Sequence, residues 1–231
     1  MKLKALKKKV LSLTTLLILM GGGAAYFLLA RAGLLMPITE LPSVVWLAFF
    51  PSEQAFHPRL DELNNEALLN RDTPLRQLLK EDAAKGDVTI LVEKSKYRLT
   101  IFRDRQPIKS YPVVFGGSPE GDKLREGDQK TPEGVYFVRD LYPHVGWSKF
   151  IWLDYPRPES WREHFQAKFS GQLAWHAPIG GEIGIHGVPQ GSESDIENRS
   201  NWTLGCVSLT NNDVDEIYEF IGSGTLIEIV A

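Results

Sequence analysis

The chain of 231 residues is long enough to bury one sizeable hydrophobic core. Its composition is that of a globular protein, with 43% hydrophobic and 24% charged residues, a net charge of −3 and a pI near 6.0. This balance gives no reason to expect a nucleic acid as a partner. The single cysteine, Cys206, excludes an intramolecular disulfide.

The N-terminus, residues 1–31, has the pattern of a membrane-targeting segment. Five lysines lie in the first nine residues, and residues 10–30 contain no charge. A helix of that length spans about 30 Å, the thickness of a bilayer core, so the pattern predicts a transmembrane anchor with a cytoplasmic N-terminus. The alternative is a cleaved signal peptide with its cleavage site at Gly23–Ala25. Both interpretations send the body of the chain across the membrane.

Residues 32–86 are interpreted as a membrane-proximal helical linker. The apolar stretch LPSVVWLAFFP is expected either to lie at the membrane surface or to pack on the main domain. Leucines at helical spacing, among them Leu60 and Leu63, then predict two short helices, broken at Thr73–Pro74 and ended by Gly86. The segment is expected to act as a spacer, with partner binding as the alternative.

From residue 87 to residue 231 the pattern changes to one typical of strands. Apolar side chains recur with a period of two, and turn residues separate the runs. These features predict a mainly β domain, a sandwich or barrel with a few short helices. The predicted strands include Ile90 and Val92, Leu99 and Ile101, Val113 and Phe115, and the runs TPEGVYFVRD, KFIWLDYP, GEIGIHG, CVSL and TLIEIV.

One amphipathic helix is predicted in NNDVDEIYEFIG, residues 211–222. Apolar residues recur there at i, i+3, i+4 and i+7 from Val214. Asn211 or Asn212 is the expected N-cap, and Gly222 is the expected end.

Cys206 is a candidate nucleophile, with His186 as its candidate base. A cysteine nucleophile needs a group that accepts its proton and donors that hold an oxyanion. His186 ends a predicted strand, the Gly187 carbonyl is placed to orient its ring, and the N–H groups around Gly205 and Cys206 are candidate oxyanion donors. A thiol of low pKa paired with histidine is expected to react quickly near neutral pH. The alternatives are a small buried hydrophobe and a structural histidine.

These motifs resemble the L,D-transpeptidase (YkuD/ErfK-like) catalytic domain family. The resemblance rests on IHG followed by WTLGCVSLTN, and on YPVVFGGSPEGDKLREGDQKTPEGVYFV upstream. The KLREGDQKTPEG and WTLGC phrases resemble one Gram-negative branch of that family. For a Gram-negative cell, the resemblance implies an inner-membrane anchor with the catalytic domain in the periplasm, or secretion to the periplasm if the N-terminus is cleaved.

The resemblance implies a β-sandwich enzyme that acts on peptidoglycan stem peptides without a metal or cofactor. Cys206 would form a thioester with the stem, His186 would move the protons, and the amine of a second stem would accept the acyl group. One alternative is a hydrolase, carboxypeptidase or amidase that uses water and releases a wall-attached lipoprotein. A less favoured alternative is a non-catalytic wall-binding module, which would have no need of Cys206. Independently, one cysteine and scattered histidines lack the spacing of zinc ligands.

The sequence departs from the family pattern beside the cysteine. Many members have arginine two residues after it and Ser-His before Gly-Cys, whereas this chain has Ser208 and Thr203–Leu204. The missing arginine is a plausible carboxylate anchor, so Lys123 or Arg125 is expected to supply the charge, with a solvated loop as the alternative.

Further substrate contacts are expected from residues near these motifs. His176 lies ten residues before His186 and is a candidate for the cleft, with structural packing as the default. An aromatic substrate wall from Trp152, Tyr155 and Trp161 is weighed against core packing. The substrate-binding candidates are Lys123, Arg125, His176, Trp202, Thr203 and Ser208.

Overall fold

The structure is a computed structural model, and it describes residues 19–50, 55–58, 68–79 and 84–231. The predicted membrane segment falls partly on residues 1–18, outside these ranges, as does the linker helix predicted around Leu60 and Leu63. Residues 19–31 are helical and are termed α1. In the described ranges, none of the helices has both the length and the apolar character needed to cross a membrane.

Eight strands form one hydrogen-bonded sheet in the order β3-β2-β1-β8-β4-β5-β6-β7. Adjacent strands are antiparallel except for the β1–β8 and β6–β7 pairs, which are parallel. The strands are Thr89–Glu93 (β1), Arg98–Arg103 (β2), Gln106–Pro112 (β3), Gly134–His144 (β4), Ser148–Leu153 (β5), Gly184–His186 (β6), Val207–Ser208 (β7) and Leu226–Val230 (β8).

The sheet curls so that the two ends of this order meet. Strand β4 pairs with β8 through its first half and with β5 through its second half, with a register shift between Val138 and Asp140. The chain that follows β3 then bridges to the far edge, because Val114 pairs with Ser208 and Gly116 pairs with Thr203. The mainly β prediction is confirmed, in the form of one curled sheet.

The helices are short, and they lie before the first strand or between later strands. They are Leu41–Phe49 (α2, after a 3-10 turn at Ile38–Glu40), Leu75–Leu79 (α3), Pro158–Phe169 (α4), Ser194–Glu197 (α5) and Asn211–Tyr218 (α6). Helix α6 is capped by Thr210, whose hydroxyl accepts from the Asp213 N–H, and not by either predicted asparagine. It ends at Tyr218, earlier than predicted. Helix α4 was not predicted, although Pro158 begins it and Trp161, His164 and Lys168 are buried at helical spacing.

One large core fills the curled sheet. The alternating residues of β1 and β2 are buried in it, as the period of two predicts. Tyr155 and Trp161 are buried there too, so these two residues pack in the core and do not form a substrate wall. Leu75 and Leu79 of α3 enter the same core, so this part of the predicted linker packs into the domain.

Candidate active site

The curled sheet brings His186 and Cys206 onto neighbouring strands. Strand β6 ends at His186, β7 begins one residue after Cys206, and in this parallel pair His186 lies opposite Ser208. Paired strands are about 4.8 Å apart, so two residues separated by 20 positions in sequence become close neighbours in space. The loop between the two motifs therefore brings the two strand ends side by side, as expected.

The His186 ring is held by the backbone of the next residue. Its Nδ1 lies 2.7 Å from the Gly187 carbonyl oxygen. A carbonyl oxygen only accepts a hydrogen bond, so Nδ1 carries the proton and Nε2 keeps its lone pair. This is the tautomer that a general base requires. The Gly187 carbonyl therefore has the contact predicted for it.

Three aromatic rings surround the His186 imidazole. Trp147 stacks on it with ring centroids 4.4 Å apart, Phe150 lies at 5.8 Å and nearly parallel, and Trp202 meets it edge-on at 5.5 Å. Burial among these rings lowers the pKa of His186 to about 4, while the hydrogen bond to Gly187 opposes that shift. The free imidazole is therefore neutral at pH 7.

The Cys206 thiol points away from His186 in this structure. It donates to the Glu182 carbonyl oxygen at 3.6 Å, and among the described residues no hydrogen bond joins it to the His186 ring. Burial raises the pKa of the thiol to about 11, against the smaller lowering effects of the Gly184 backbone amide and the Lys123 charge. The resting thiol is protonated, which corrects the expectation of a low-pKa thiol.

The turn that carries Cys206 is stabilised by the Thr203 side chain. The Thr203 hydroxyl donates to the Cys206 carbonyl oxygen at 2.7 Å and accepts from the Gly205 N–H at 3.1 Å. Thr203 is buried and its hydroxyl is used in the turn, so it does not meet the prediction of a substrate contact. The Gly205 N–H is likewise engaged, whereas the Cys206 N–H has no acceptor within the described part of the chain.

Gly205 is required by close packing of the backbone. Its φ is +140°, and a Cβ atom there would lie 2.7 Å from the Lys130 carbonyl oxygen and 3.1 Å from Ile183. A side chain at this position would combine backbone strain with a steric clash. The glycine thus lets the Cys206 turn pack directly against the loop that contains Lys130.

Ser208 is buried and does not face a ligand site. Its hydroxyl donates to the Gly187 carbonyl oxygen at 3.1 Å, the same oxygen that the His186 ring contacts. The predicted substrate-binding role of Ser208 is corrected, because the pairing of β6 and β7 turns this side chain towards Gly187.

The two basic candidates of the KLREGD phrase have different environments. Lys123 is buried, and its ammonium pairs with Asp128 at 2.8 Å and donates to the Arg125 carbonyl oxygen at 3.2 Å. Asp128 also accepts from the backbone N–H groups of Leu124 and Arg125. The Lys123 ammonium therefore stabilises this loop and does not meet the prediction of a substrate contact. The Arg125 side chain is exposed.

The other substrate candidates lie differently around the pair. His176 is exposed on the segment between α4 and β6, and no hydrogen bond among the described residues links it to Cys206 or His186. Trp202 is half-buried against His186, and its indole N–H is buried without an acceptor in the described ranges. Of the predicted binding residues, Trp202 is therefore the one in ring contact with the candidate base.

Sequence reasoning missed three residues of this site. Trp147 and Phe150 pack on the imidazole, and the Glu182 carbonyl oxygen accepts a hydrogen bond from the thiol. Phe150 lies opposite His186 because β5 pairs with β6 in that register. A strand rich in aromatic residues was visible in the sequence, but its pairing partner was not.

Comparison with known proteins identifies the family of the chain. Residues 87–229 match the family YkuD, described as the L,D-transpeptidase catalytic domain. The match covers more than half of the chain, and the chain belongs to that family. Membership indicates an enzyme domain of the L,D-transpeptidase class.

Among individual relatives, YafK of Escherichia coli K12, provisionally named an L,D-transpeptidase, is 25% identical over 161 residues. The aligned region covers 67% of this chain and 55% of YafK, so the chain spans about half of that relative's length.

Solved structures with similar folds include the helical cell shape determining protein Pgp2 of Campylobacter jejuni, at 21% identity and a TM-score of 0.44. The match covers 67% of this chain and 53% of that one. An L,D-transpeptidase from Mycobacterium smegmatis matches at 13% identity and a TM-score of 0.42, covering 63% and 59% of the two chains.

Proposed function

We propose that the chain is a cysteine-dependent L,D-transpeptidase that acts on peptidoglycan stem peptides through a thioester. Family membership supports the class of reaction. The assignment of residues rests on the His186 ring. Its Nδ1 bonds to the Gly187 carbonyl oxygen, and its strand pairs with the strand that begins after Cys206. In this proposal Cys206 is the nucleophile, His186 the base, and Gly187 the group that orients the base.

The first half of the reaction acylates the enzyme. The Cys206 thiol turns from the Glu182 carbonyl and gives its proton to His186 Nε2, while the sulfur attacks the carbonyl carbon of the third stem residue. The carbon–nitrogen bond to the terminal D-alanine breaks, and His186 returns the proton to the departing amine. The free Cys206 N–H is the candidate donor to the oxyanion. Since the free thiol and imidazole are both neutral, proton transfer accompanies attack.

The second half releases the acyl group. The amine of a second stem attacks the thioester carbon and loses a proton to His186, the carbon–sulfur bond breaks, and the thiolate recovers that proton. The product is a cross-link between the two third residues. Water in place of the amine gives hydrolysis. If the carbon–nitrogen bond broken in the first half joins the stem to a lipoprotein, the lipoprotein leaves as the amine and water then frees the enzyme.

Recognition of the donor stem is proposed for two of the predicted binding residues, Arg125 and Trp202. Arg125 is the exposed cation of the KLREGD loop and is the candidate for a stem carboxylate. Trp202, packed edge-on to His186, is the candidate for apolar contact. Lys123, Thr203 and Ser208 are left out, because their polar groups are used within the fold.

The N-terminus is proposed to attach the domain to the periplasmic side of the inner membrane. Five lysines precede 21 uncharged residues, which supports a signal anchor. The mass of the N-terminal peptide purified from cell membranes tests this. Retention of residues 1–31 supports the anchor, whereas a chain beginning after Ala25 supports the cleaved signal peptide.

Product analysis tests the catalytic proposal. The full chain in detergent is incubated with tetrapeptide muropeptides, and the products and the intact protein are followed by mass spectrometry, with Cys206→Ala as control. An acyl adduct on Cys206 and cross-linked dimers, both absent from the control, are expected. Shortened stems without dimers would indicate a hydrolase. A lack of any Cys206-dependent product from stems or from lipoprotein-linked wall would contradict the proposal.

A further inference from the structure

Helix α2 has an exposed apolar stripe that the proposed chemistry does not use. Leu41, Val45 and Phe49 are spaced by four residues and are all exposed, Phe49 to 76%. Trp46 lies beside them, 63% exposed, and its ring is 4.3 Å from that of exposed Phe50. The helix sequence LPSVVWLAF contains no charged residue.

The opposite face of α2 fixes the helix on the catalytic domain. Leu47 is buried, Val44 packs against the main core, and α2 contacts α4. A surface helix normally has one apolar face towards the protein and one polar face towards water. Here both faces are apolar, and the outer one has no partner within the described residues. A contiguous exposed apolar surface of this kind marks an interaction site.

The segment that leads into α2 is linked to the N-terminal helix by specific hydrogen bonds. The Tyr26 hydroxyl in α1 donates to the Met36 carbonyl oxygen at 3.1 Å and accepts from the Ile38 N–H at 2.5 Å. The Ile179 N–H of the catalytic domain donates to the Gly33 carbonyl oxygen at 3.0 Å. Helix α1, helix α2 and the domain therefore hold one another in a defined arrangement.

The surfaces near the stripe indicate what covers it. Helix α1 is itself exposed and apolar, with Leu19, Phe27 and Leu28 each more than half exposed. Within the stripe, Trp46 borders a groove of about 480 Å³ that is also lined by Arg157 and Glu159. An exposed apolar helix, exposed aromatic rings and nearby charged groups are the surfaces suited to a bilayer core, its interface and the adjoining water.

We propose that the α2 stripe lies in the interfacial layer of a lipid bilayer, the same one that the N-terminal segment enters. The inference rests on the membrane attachment proposed above and not on the chemistry at Cys206. With α1 in the membrane and α2 against it, the domain has two contacts with the bilayer. It is therefore held in one orientation and does not swing on a flexible tether.

The lone cysteine makes a direct test available. In the full chain with Cys206→Ala, a single new cysteine is introduced as Phe49→Cys, or separately as Val45→Cys, and carries a spin label. Val145→Cys provides a matched control, because Val145 is an apolar residue fully exposed between β4 and β5. Each variant is reconstituted into phosphatidylcholine–phosphatidylglycerol liposomes. Accessibility of the label to oxygen and to a water-soluble nickel complex is measured by electron paramagnetic resonance.

Labels at positions 45 and 49 are expected to be several-fold less accessible to nickel than the label at 145, and more accessible to oxygen than to nickel. Nickel accessibility equal to that at 145 would place the stripe in water and overturn the proposal. Protection from both reagents would indicate a protein contact, such as a second copy, and would also overturn it. Failure of the chain to enter liposomes would also overturn the proposal. Because wild-type turnover is measured separately, failure here is distinct from failure of the catalytic proposal.

Discussion

Ser208 and His186 converge on one acceptor, the carbonyl oxygen of Gly187. The serine hydroxyl lies 3.1 Å from that oxygen and the His186 Nδ1 lies 2.7 Å from it. Both groups act as donors, so the carbonyl uses both of its lone pairs. Ser208 therefore limits the directions from which the imidazole can approach the carbonyl, although it cannot itself reach a ligand.

Replacement of Ser208 by alanine should reduce turnover by about five-fold, because a net hydrogen bond contributes about 1 kcal/mol to holding the imidazole. The measurement is kcat with tetrapeptide stems, together with the thermal midpoint. Ser110→Ala is the matched control, since Ser110 is equally buried and its hydroxyl bonds to Thr100 at 2.9 Å in β2. The control should lose comparable stability and keep its kcat. Equal kcat for the two variants would contradict the positioning role.

Gly205→Ala should destabilise the fold by about 2 kcal/mol or more, because the new Cβ would combine a left-handed φ with a 2.7 Å approach to the Lys130 carbonyl. Denaturant unfolding measures the loss. Gly181→Ala is the control, as nothing lies within 4 Å of a Cβ there, and a change below about 0.5 kcal/mol is expected. Similar losses at both positions would show that the packing at Gly205 is not as tight as described.

Alkylation of Cys206 should be slow in the native protein. Burial raises the pKa of the thiol from 9.0 to about 11, so near pH 8 the thiolate fraction is about 100-fold below that of the unfolded chain. The iodoacetamide rate should still be rising at pH 10, and it should be slower than in guanidinium chloride at every pH below that. A native rate that levels off below pH 7 would reveal an activated thiolate and refute the resting state described here.

Acid should destabilise the protein through His186. In the unfolded chain its pKa is near 6.5, whereas burial lowers it to about 4 in the folded chain, so the unfolded state binds more protons between these values. The lost stability should total about 3 kcal/mol on going from pH 6.5 to pH 4.

Unfolding of His186→Gln over that pH range isolates this contribution, since burial also lowers the pKa of His57 and His164. The difference between wild type and His186→Gln should shrink as the pH falls. His176→Gln, which changes an exposed histidine, is the control and should give a curve parallel to that of the wild type. A difference independent of pH would count against neutral burial of His186.

Asp128→Ala should cost about 3–5 kcal/mol, because it leaves the buried Lys123 ammonium without its carboxylate. Glu219→Ala is the control, since its partner Arg76 lies with it in an exposed ion pair, for which a loss below about 1 kcal/mol is expected. Denaturant unfolding compares the two variants. A loss at Asp128 no larger than at Glu219 would mean that the loop does not depend on the buried pair.

Local patterns in the sequence determined much of the domain. The period of two around Ile90, Leu99 and Ile101 identified the strands and their inward faces, since neighbouring side chains of any strand point to opposite sides. The carbonyl after His186 has the contact predicted for it, because that contact depends only on adjacent backbone. The glycine beside Cys206 is instead required by packing against Lys130, which the sequence did not predict.

Only the tertiary structure decided how the side chains of the site are used. The hydroxyls of Ser208 and Thr203 donate to backbone carbonyl oxygens of the fold. The thiol bonds to the Glu182 carbonyl oxygen, and the Phe150 ring lies against His186. Each contact depends on which strands pair, in which register, and on the curl that joins the ends of the sheet. The pKa values of Cys206 and His186 follow from the same arrangement, since burial is a property of the packed chain and not of any short stretch of sequence.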